Sequence, residues 1–296
     1  MKLDHLATET RNARTFDLDE MGTEALLRVM NAEDAKVASA VEKEISRIAQ
    51  AVELVVQARN HGGRLIYMGA GTSGRLGVLD AVECPPTFGV DPGEVVGLIA
   101  GGERAFVKAV EGAEDDEALG AADLERIKLT DVDVVVGLAA SGRTPYVIGG
   151  LKYANAVGAQ TVAIACNKPS EIGALANVAI EIENGPEVLT GSTRLKAGTS
   201  QKLVCNMIST ASMVGTGKVF GNLMVDMQLT NEKLVERGIR MIMVATECDR
   251  QTAIDGLKRA GDNPKLAILM ILTGATKEEA TVALAGAGGF IKKALK

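Results

Sequence analysis

Two stretches of the chain each run an apolar segment into small and hydroxyl residues and then Ser-Gly-Arg. They are residues 64–77 (RLIYMGAGTSGRLG) and 132–147 (VDVVVGLAASGRTPYV). A strand that ends in glycines and hydroxyls just ahead of a helix makes an anion site. The first helical N–H groups have no intrahelical acceptor, and the positive end of the helix dipole faces the same space. Gly71, Thr72, Ser73 and Gly74 in the first loop, with Ser141, Gly142 and Thr144 in the second, supply N–H groups and hydroxyls suited to a phosphate monoester. Two such loops in one domain predict a ligand that carries a phosphate.

Gly69, Gly71 and Gly74 also satisfy Gly-x-Gly-x-x-Gly, the dinucleotide fingerprint. A dinucleotide site wants an acidic residue at the end of the second strand to hold the ribose. Here that strand runs into Ala100-Gly101-Gly102, with Glu103 displaced beyond it, and a dinucleotide has no need of a second hydroxyl loop. The sugar-phosphate reading therefore stands ahead. Arg75 and Arg143 either face the ligand or form salt bridges on the outer sides of their helices. Cys84, Cys166, Cys205 and Cys248 show no metal-ligand spacing, and only His5 and His61 could join them at a zinc ion. They read as buried free thiols in a reducing compartment.

To hold two loops side by side the chain needs a sheet. From residue 64 strands alternate with helices, the strands expected at 64–68, 95–100, 132–138, 160–165 and 178–182. They are short runs rich in Val and Ile, as when both sheet faces are covered. Helices are expected from Gly74, over 113–126 and from near Thr144. The fold class predicted is α/β, a three-layer parallel sheet flanked by helices, which binds ligands beyond the carboxyl ends of its strands. Ahead of it come an arm over residues 1–19, a short helix over 23–30 and a long helix over 32–60 capped by Asn31. Val37, Val41, Ile45, Ile48, Val52 and Val55 form the apolar stripe of that long helix. Beyond the sheet come a long helix over 195–218, a helical segment over 231–245 and short helices broken at 261–264 and 273–274. The organisation expected is an N-terminal arm and helices (1–50), the α/β domain (51–220), a helical connector (221–248) and a small C-terminal helical domain (249–296).

A length of 296 residues accommodates one large domain with an appendage. The net charge of −6, with 3% aromatic residues and no Trp, argues against a nucleic-acid-binding face. The start, MKLDHLATETRN, lacks the apolar core of a secretory signal, and no apolar run is long enough to span a bilayer. The expectation is a cytoplasmic protein with no membrane or nucleic-acid partner.

Residues 50–220 resemble the sugar isomerase (SIS) phosphosugar-binding domain. The segment 185–202, GPEVLTGSTRLKAGTSQK, is more specific. It is similar to a signature shared by the N-acetylmuramic acid 6-phosphate etherases and the glucokinase regulatory protein. The resemblance covers nearly the full chain, and at this length it is to the bacterial etherases. It implies removal of the D-lactyl ether from carbon 3 of N-acetylmuramic acid 6-phosphate, by elimination of lactate and addition of water, in recycling or catabolism of cell-wall amino sugars. No metal or redox cofactor is implied. The family's two carboxylates fall on Glu83, in AVECPPTFG, and Glu114, in EGAEDDE, while Glu187, Ser192, Thr193, Lys196 and Lys202 become candidates for substrate contact. One departure stands out. Many SIS isomerases offer two serines in the second loop, where Ala139-Ala140 here leave only Ser141 and Thr144. A non-catalytic sugar-phosphate sensor would explain the loops without the carboxylates, and an aldose–ketose isomerase would leave segment 185–202 unexplained.

In the ring-opened sugar the carbon 1 aldehyde acidifies the carbon 2 proton. A base removes that proton while an acid protonates the departing lactate oxygen, each contributing about a hundred- to ten-thousandfold. Glu114 is the expected base and Glu83 the acid. Pro85 disfavours helix at Cys84, so the helix is expected to end near Glu83, where the negative end of its dipole favours the protonated carboxyl. The roughly ten helical residues from Ser73 to Glu83 rise about 15 Å, more than a sugar's phosphate-to-carbon 3 reach. The expectation is a homodimer whose sites draw the phosphate loop and Glu83 from different subunits.

Overall fold

Five short apolar runs form the strands β1 (Leu65–Gly69), β2 (Val95–Ile99), β3 (Val134–Ala139), β4 (Gln160–Ala165) and β5 (Val178–Glu181), each within two residues of its expected place. They pair as one parallel sheet in the order β2-β1-β3-β4-β5. β1 and β3 are buried along their whole length, as their unbroken Val, Ile and Leu content requires. The chain leaves β1 towards β2 and returns to β3 on the other side of β1. In open sheets of this order the ligand crevice opens at that switch point. The register pairs Gly69 with Leu138, so the two Ser-Gly-Arg loops leave adjoining strand ends.

The computed structural model describes residues 8–108 and 110–296; His5 lies outside them. The arm carries two 3-10 turns, Ala13–Thr15 and Leu18–Glu20. It is followed by α1 (Thr23–Asp34), α2 (Val37–Glu42) and α3 (Ile45–Asn60). The single helix expected over 32–60 is thus divided, and Asn31 lies inside α1 instead of capping a helix. Neither break contains Gly or Pro. They fall beside Glu33 and Glu44, whose carboxylates turn to Lys196 and Lys168. Val37, Val41, Ile48 and Val55 are buried, but Ile45, at the first position of α3, is 45% exposed.

α4 (Gly71–Phe88) runs through Pro85 and Pro86, which corrects the expected stop at Glu83. The prolines forgo two ladder bonds, yet their fixed φ is close to helical. After α4 come α5 (Arg104–Val107), a 3-10 turn over Ala113–Asp115, α6 (Glu117–Arg126), α7 (Pro145–Val157), α8 (Glu171–Leu175) and α9 (Lys196–Gly215). Thr144 holds the N-cap position of α7, with Pro145 next, where its missing N–H costs nothing.

By internal contacts the chain forms two compact units. The first comprises residues up to Val82 together with Gly93–Ser209, its core built on Ile66, Met68, Val135, Val147 and Leu151. The second comprises Glu83–Pro92 and Thr210–Lys296. It holds α10 (Glu232–Thr246), α11 (Arg250–Arg259), α12 (Pro264–Thr273), α13 (Lys277–Gly286) and α14 (Ile291–Ala294), packed around Ile242, Leu257 and Ile268. Side chains of Asn231, Asp249, Asn263 and Thr276 cap its helices. Among the described residues no helix is long and apolar enough to cross a membrane.

Candidate active site

Beyond the ends of β1 and β3 lies a cavity of about 320 Å³, lined from the first loop by Ala70, Gly71, Thr72 and Ser73. The second loop contributes Ala140, Ser141, Arg143, Thr144 and Pro145, and the turn before α6 contributes Glu114 and Asp115. Thr193 and Glu9 complete the lining. The volume is that of a small-molecule site.

The first loop is tight because a Cβ at Gly74 would meet the Gly69 carbonyl oxygen at 2.5 Å. Glycine there lets α4 start directly on the end of β1. The N–H groups of Gly71, Thr72 and Ser73 open the helix and have no intrahelical acceptors, so an anion in the cavity finds three donors. The Ser73 hydroxyl, largely buried, donates to Gln201 Oε1 at 2.9 Å. In the second loop Gly142 takes a φ of 76°, which glycine adopts freely. The Ala140 carbonyl accepts from Asn167 Nδ2 at 3.1 Å and from Cys166 N at 2.9 Å, which fixes the loop from behind. The two arginines part company. Arg75 donates to the Ala105 and Phe106 carbonyls, both at 2.8 Å, whereas Arg143 lines the cavity with Glu171 at 4.0 Å.

Glu114 stands on its 3-10 turn directly ahead of α6, and the second loop stands directly ahead of α7. These helices touch backbone to backbone. A Cβ at Gly149 would lie 1.9 Å from the Glu117 carbonyl oxygen, and one at Gly120 would lie 2.0 Å from that of Tyr146. The contact holds the turn that carries Glu114 and the loop that carries Ser141 and Thr144 on one rigid helix pair, and all three line the cavity.

Of segment 185–202 only Thr193 reaches the cavity. Glu187 accepts from Lys196 N and Ala197 N at 3.0 and 2.9 Å and so caps α9. Burial pushes its pKa up, against those two N–H bonds and the Lys196 charge. Lys196 Nζ is buried on Glu33 Oε2 at 2.8 Å and the Asn184 carbonyl at 3.0 Å. Burial alone would raise the Glu33 pKa, but hydrogen bonds from Lys196 and Lys36, with their charges, hold it at about 2. Glu187 and Lys196, expected at the substrate, are instead bound to the protein itself and build the loop that carries Thr193. Lys202 lies 3.4 Å from Asp80 Oδ1, and Ser192 stays within its own turn, its N–H donating to the Leu189 carbonyl. Gly74 and Gly142 shape the loops without lining the cavity. Glu83 belongs to the second unit and is not a lining residue. Because α4 continues to Phe88, it does not meet the helix's negative end.

Sequence reasoning missed Glu9. Nothing local marks it. The hint lies in its neighbours, since Thr8, Asn12 and Thr15 are bonding residues and all three fasten the arm. Thr8 exchanges two bonds with the Asn167 amide at 3.4 and 3.1 Å, Asn12 Nδ2 donates to the Pro186 carbonyl at 3.3 Å, and Thr15 Oγ1 to that of Val188 at 2.8 Å.

Residues 47–155 match the family model of the glucokinase regulatory protein N-terminal SIS domain, and residues 116–211 match that of the SIS domain. A phosphoheptose isomerase from Neisseria gonorrhoeae shares the fold, with a TM-score of 0.51 over 64% of this chain and 98% of its own at 17% identity. The N-acetylmuramic acid 6-phosphate etherase of Bacillus cytotoxicus is 61% identical over 99% of this chain and 100% of that protein. N-acetylmuramic acid 6-phosphate etherase 2 of Enterococcus faecalis is 59% identical over 100% of both. Identity at that level, sustained from end to end, makes this chain a member of the N-acetylmuramic acid 6-phosphate etherase family.

Proposed function

We propose that the chain cleaves the D-lactyl ether of N-acetylmuramic acid 6-phosphate, giving N-acetylglucosamine 6-phosphate and D-lactate in cell-wall amino-sugar recycling or catabolism. Beyond family membership, one observation carries this reading: both Ser-Gly-Arg loops and Glu114 line one cavity. The phosphate takes the N–H groups of Gly71, Thr72 and Ser73, the hydroxyls of Ser73, Ser141 and Thr144, and the charge of Arg143. Glu114 removes the carbon 2 proton of the open-chain aldehyde. The electron pair left behind forms the carbon 2–carbon 3 double bond as the carbon 3–oxygen bond breaks, and the lactate oxygen takes a proton from an acid. Water then adds at carbon 3 and a proton returns to carbon 2, so the net change is hydrolysis.

We assign the acid to Glu83, acting in the cavity of a second subunit of a homodimer. Two facts support this: Glu83 does not line its own chain's cavity, and about ten residues of unbroken α4, a rise of about 15 Å, separate it from Ser73. Incubation with N-acetylmuramic acid 6-phosphate should release D-lactate, and in heavy water the carbon 2 proton should exchange. Glu114→Gln should do neither; exchange at the wild-type rate in that variant would move the base elsewhere, and no lactate from the wild type would reject the function.

A further inference from the structure

We propose that Glu9, on the N-terminal arm, is a substrate-binding residue of this site, its carboxylate accepting a hydrogen bond from a neutral N–H or O–H of the bound amino sugar. The inference rests on the function proposed above and adds a residue to it. Glu9 lines the same cavity as Ser73, Glu114 and Thr193, and its carboxylate has no partner among the described residues. A Cβ at Gly191 would lie 3.4 Å from Glu9 Oε2, so the carboxylate rests over the turn that leads to Thr193.

The arm is built to hold it there. Thr8, directly before Glu9, is clasped by the Asn167 amide, and Asn12 and Thr15 are tied to the Pro186 and Val188 carbonyls. Arg14 is paired with Glu33 at 2.9 Å. These neighbours are occupied in fastening the arm, and Glu9 is left facing the cavity. The substrate's chemistry limits what it can meet. Phosphate and the lactyl carboxylate are both anions, and a carboxylate beside either is repelled. The remaining donors are the acetamide N–H and the sugar hydroxyls. A bond from one of these to a charged acceptor is stronger than one between neutral groups. On this reading the N–H groups, hydroxyls and Arg143 serve the phosphate, and Glu9 serves the sugar's donors, on a lining that also carries Glu114 and Asp115.

The test compares Glu9→Ala and Glu9→Gln with wild type in D-lactate release, and measures each protein's thermal midpoint. Loss of a charge-assisted bond should raise KM in Glu9→Ala on the order of ten- to a hundredfold. kcat should stay within a few-fold and the midpoint should not move. Glu9→Gln, which keeps a neutral acceptor, should fall between the two. Thr8→Val, outside the cavity, should raise KM by loosening the arm and should add nothing in the Glu9→Ala background. An unchanged KM in Glu9→Ala overturns the proposal, as does a collapse of kcat and carbon 2 exchange at constant KM, which would make Glu9 a proton-transfer group. A midpoint that falls in step with the loss would make its role structural and overturn it too. Calorimetric affinity for N-acetylglucosamine 6-phosphate and glucose 6-phosphate separates the donors: weakening of the first alone identifies the acetamide N–H, weakening of both a hydroxyl. That binding measurement holds whether or not wild type releases lactate, so failure of the function and failure of the Glu9 role are read separately.

Discussion

Ser73 cannot give its proton to a ligand while it gives it to Gln201. In the bond described, Gln201 Oε1 takes that proton, and Gln201 Nε2 is buried without a partner among the described residues. Turning the amide over lets Nε2 donate to Ser73 Oγ and releases the hydroxyl proton to the cavity, the arrangement a bound phosphate favours. Gln201→Met removes this control. It should weaken N-acetylglucosamine 6-phosphate binding about three- to tenfold, the scale of one neutral hydrogen bond, and cost nothing further in a Ser73→Ala background. Fully additive losses in titration calorimetry would show that the two residues act separately. Glu33 sets a different test. Its folded pKa of about 2 lies below its ordinary 4.5, so its stabilisation is complete above that ordinary value and is lost as pH falls from 4.5 towards 2. Acid unfolding of wild type should steepen across that window, and Glu33→Gln should flatten it while losing about 3–5 kcal/mol at neutral pH by leaving Lys196 buried and unpaired. These residues mark where the sequence could be read and where it could not. Ser73, Ser141 and Thr144 follow from a local strand–loop–helix pattern. Lys196 does not, because its partner Glu33 is 163 residues away along the chain and burial at that range leaves no local trace.

The strands were legible because a strand buried on both faces must be apolar throughout. The division of the 32–60 stretch into separate helices was not, since no helix-breaking residue marks its breaks, which fall beside Glu33 and Glu44, the partners of lysines far along the chain. The end of α4 was misjudged for the opposite reason: Pro85 is a breaker by local rule, and the helix absorbs it. The contact of α6 with α7 shows how elements aim the chemistry. One helix follows Glu114 and the other follows the second loop, so whatever parts them moves the proposed base relative to the proposed phosphate loop. Gly149→Ala places a methyl group 1.9 Å from the Glu117 carbonyl oxygen. It should cost about 2–4 kcal/mol in urea unfolding. Turnover should fall more than sugar-phosphate affinity, because the phosphate's contacts with the first loop remain. A variant as stable and active as wild type would mean that the helices yield without moving Glu114.

For the whole molecule, the proposed homodimer makes an exact demand on mixtures. Glu114→Gln and Glu83→Gln chains are each expected to be inactive alone. Co-expressed, half the dimers should be mixed, and each mixed dimer should hold one complete site, so about a quarter of wild-type lactate release should return under two-fold symmetry. No recovery would place Glu83 in its own chain's site or outside the reaction. The breaks between the C-terminal helices were legible at 261–264 and 273–274, whereas nothing in the sequence assigns residues 83–92 to the second unit. The arm was legible only as an arm. Its Asn167 anchor bonds Thr8 on one side and the Ala140 carbonyl of the second loop on the other, so a single amide serves both. If Glu9 binds the sugar as proposed, that shared amide would couple docking of the arm to ordering of the loop: any release of the arm would lower the apparent affinity, and by reciprocity a bound sugar phosphate would favour the docked arm.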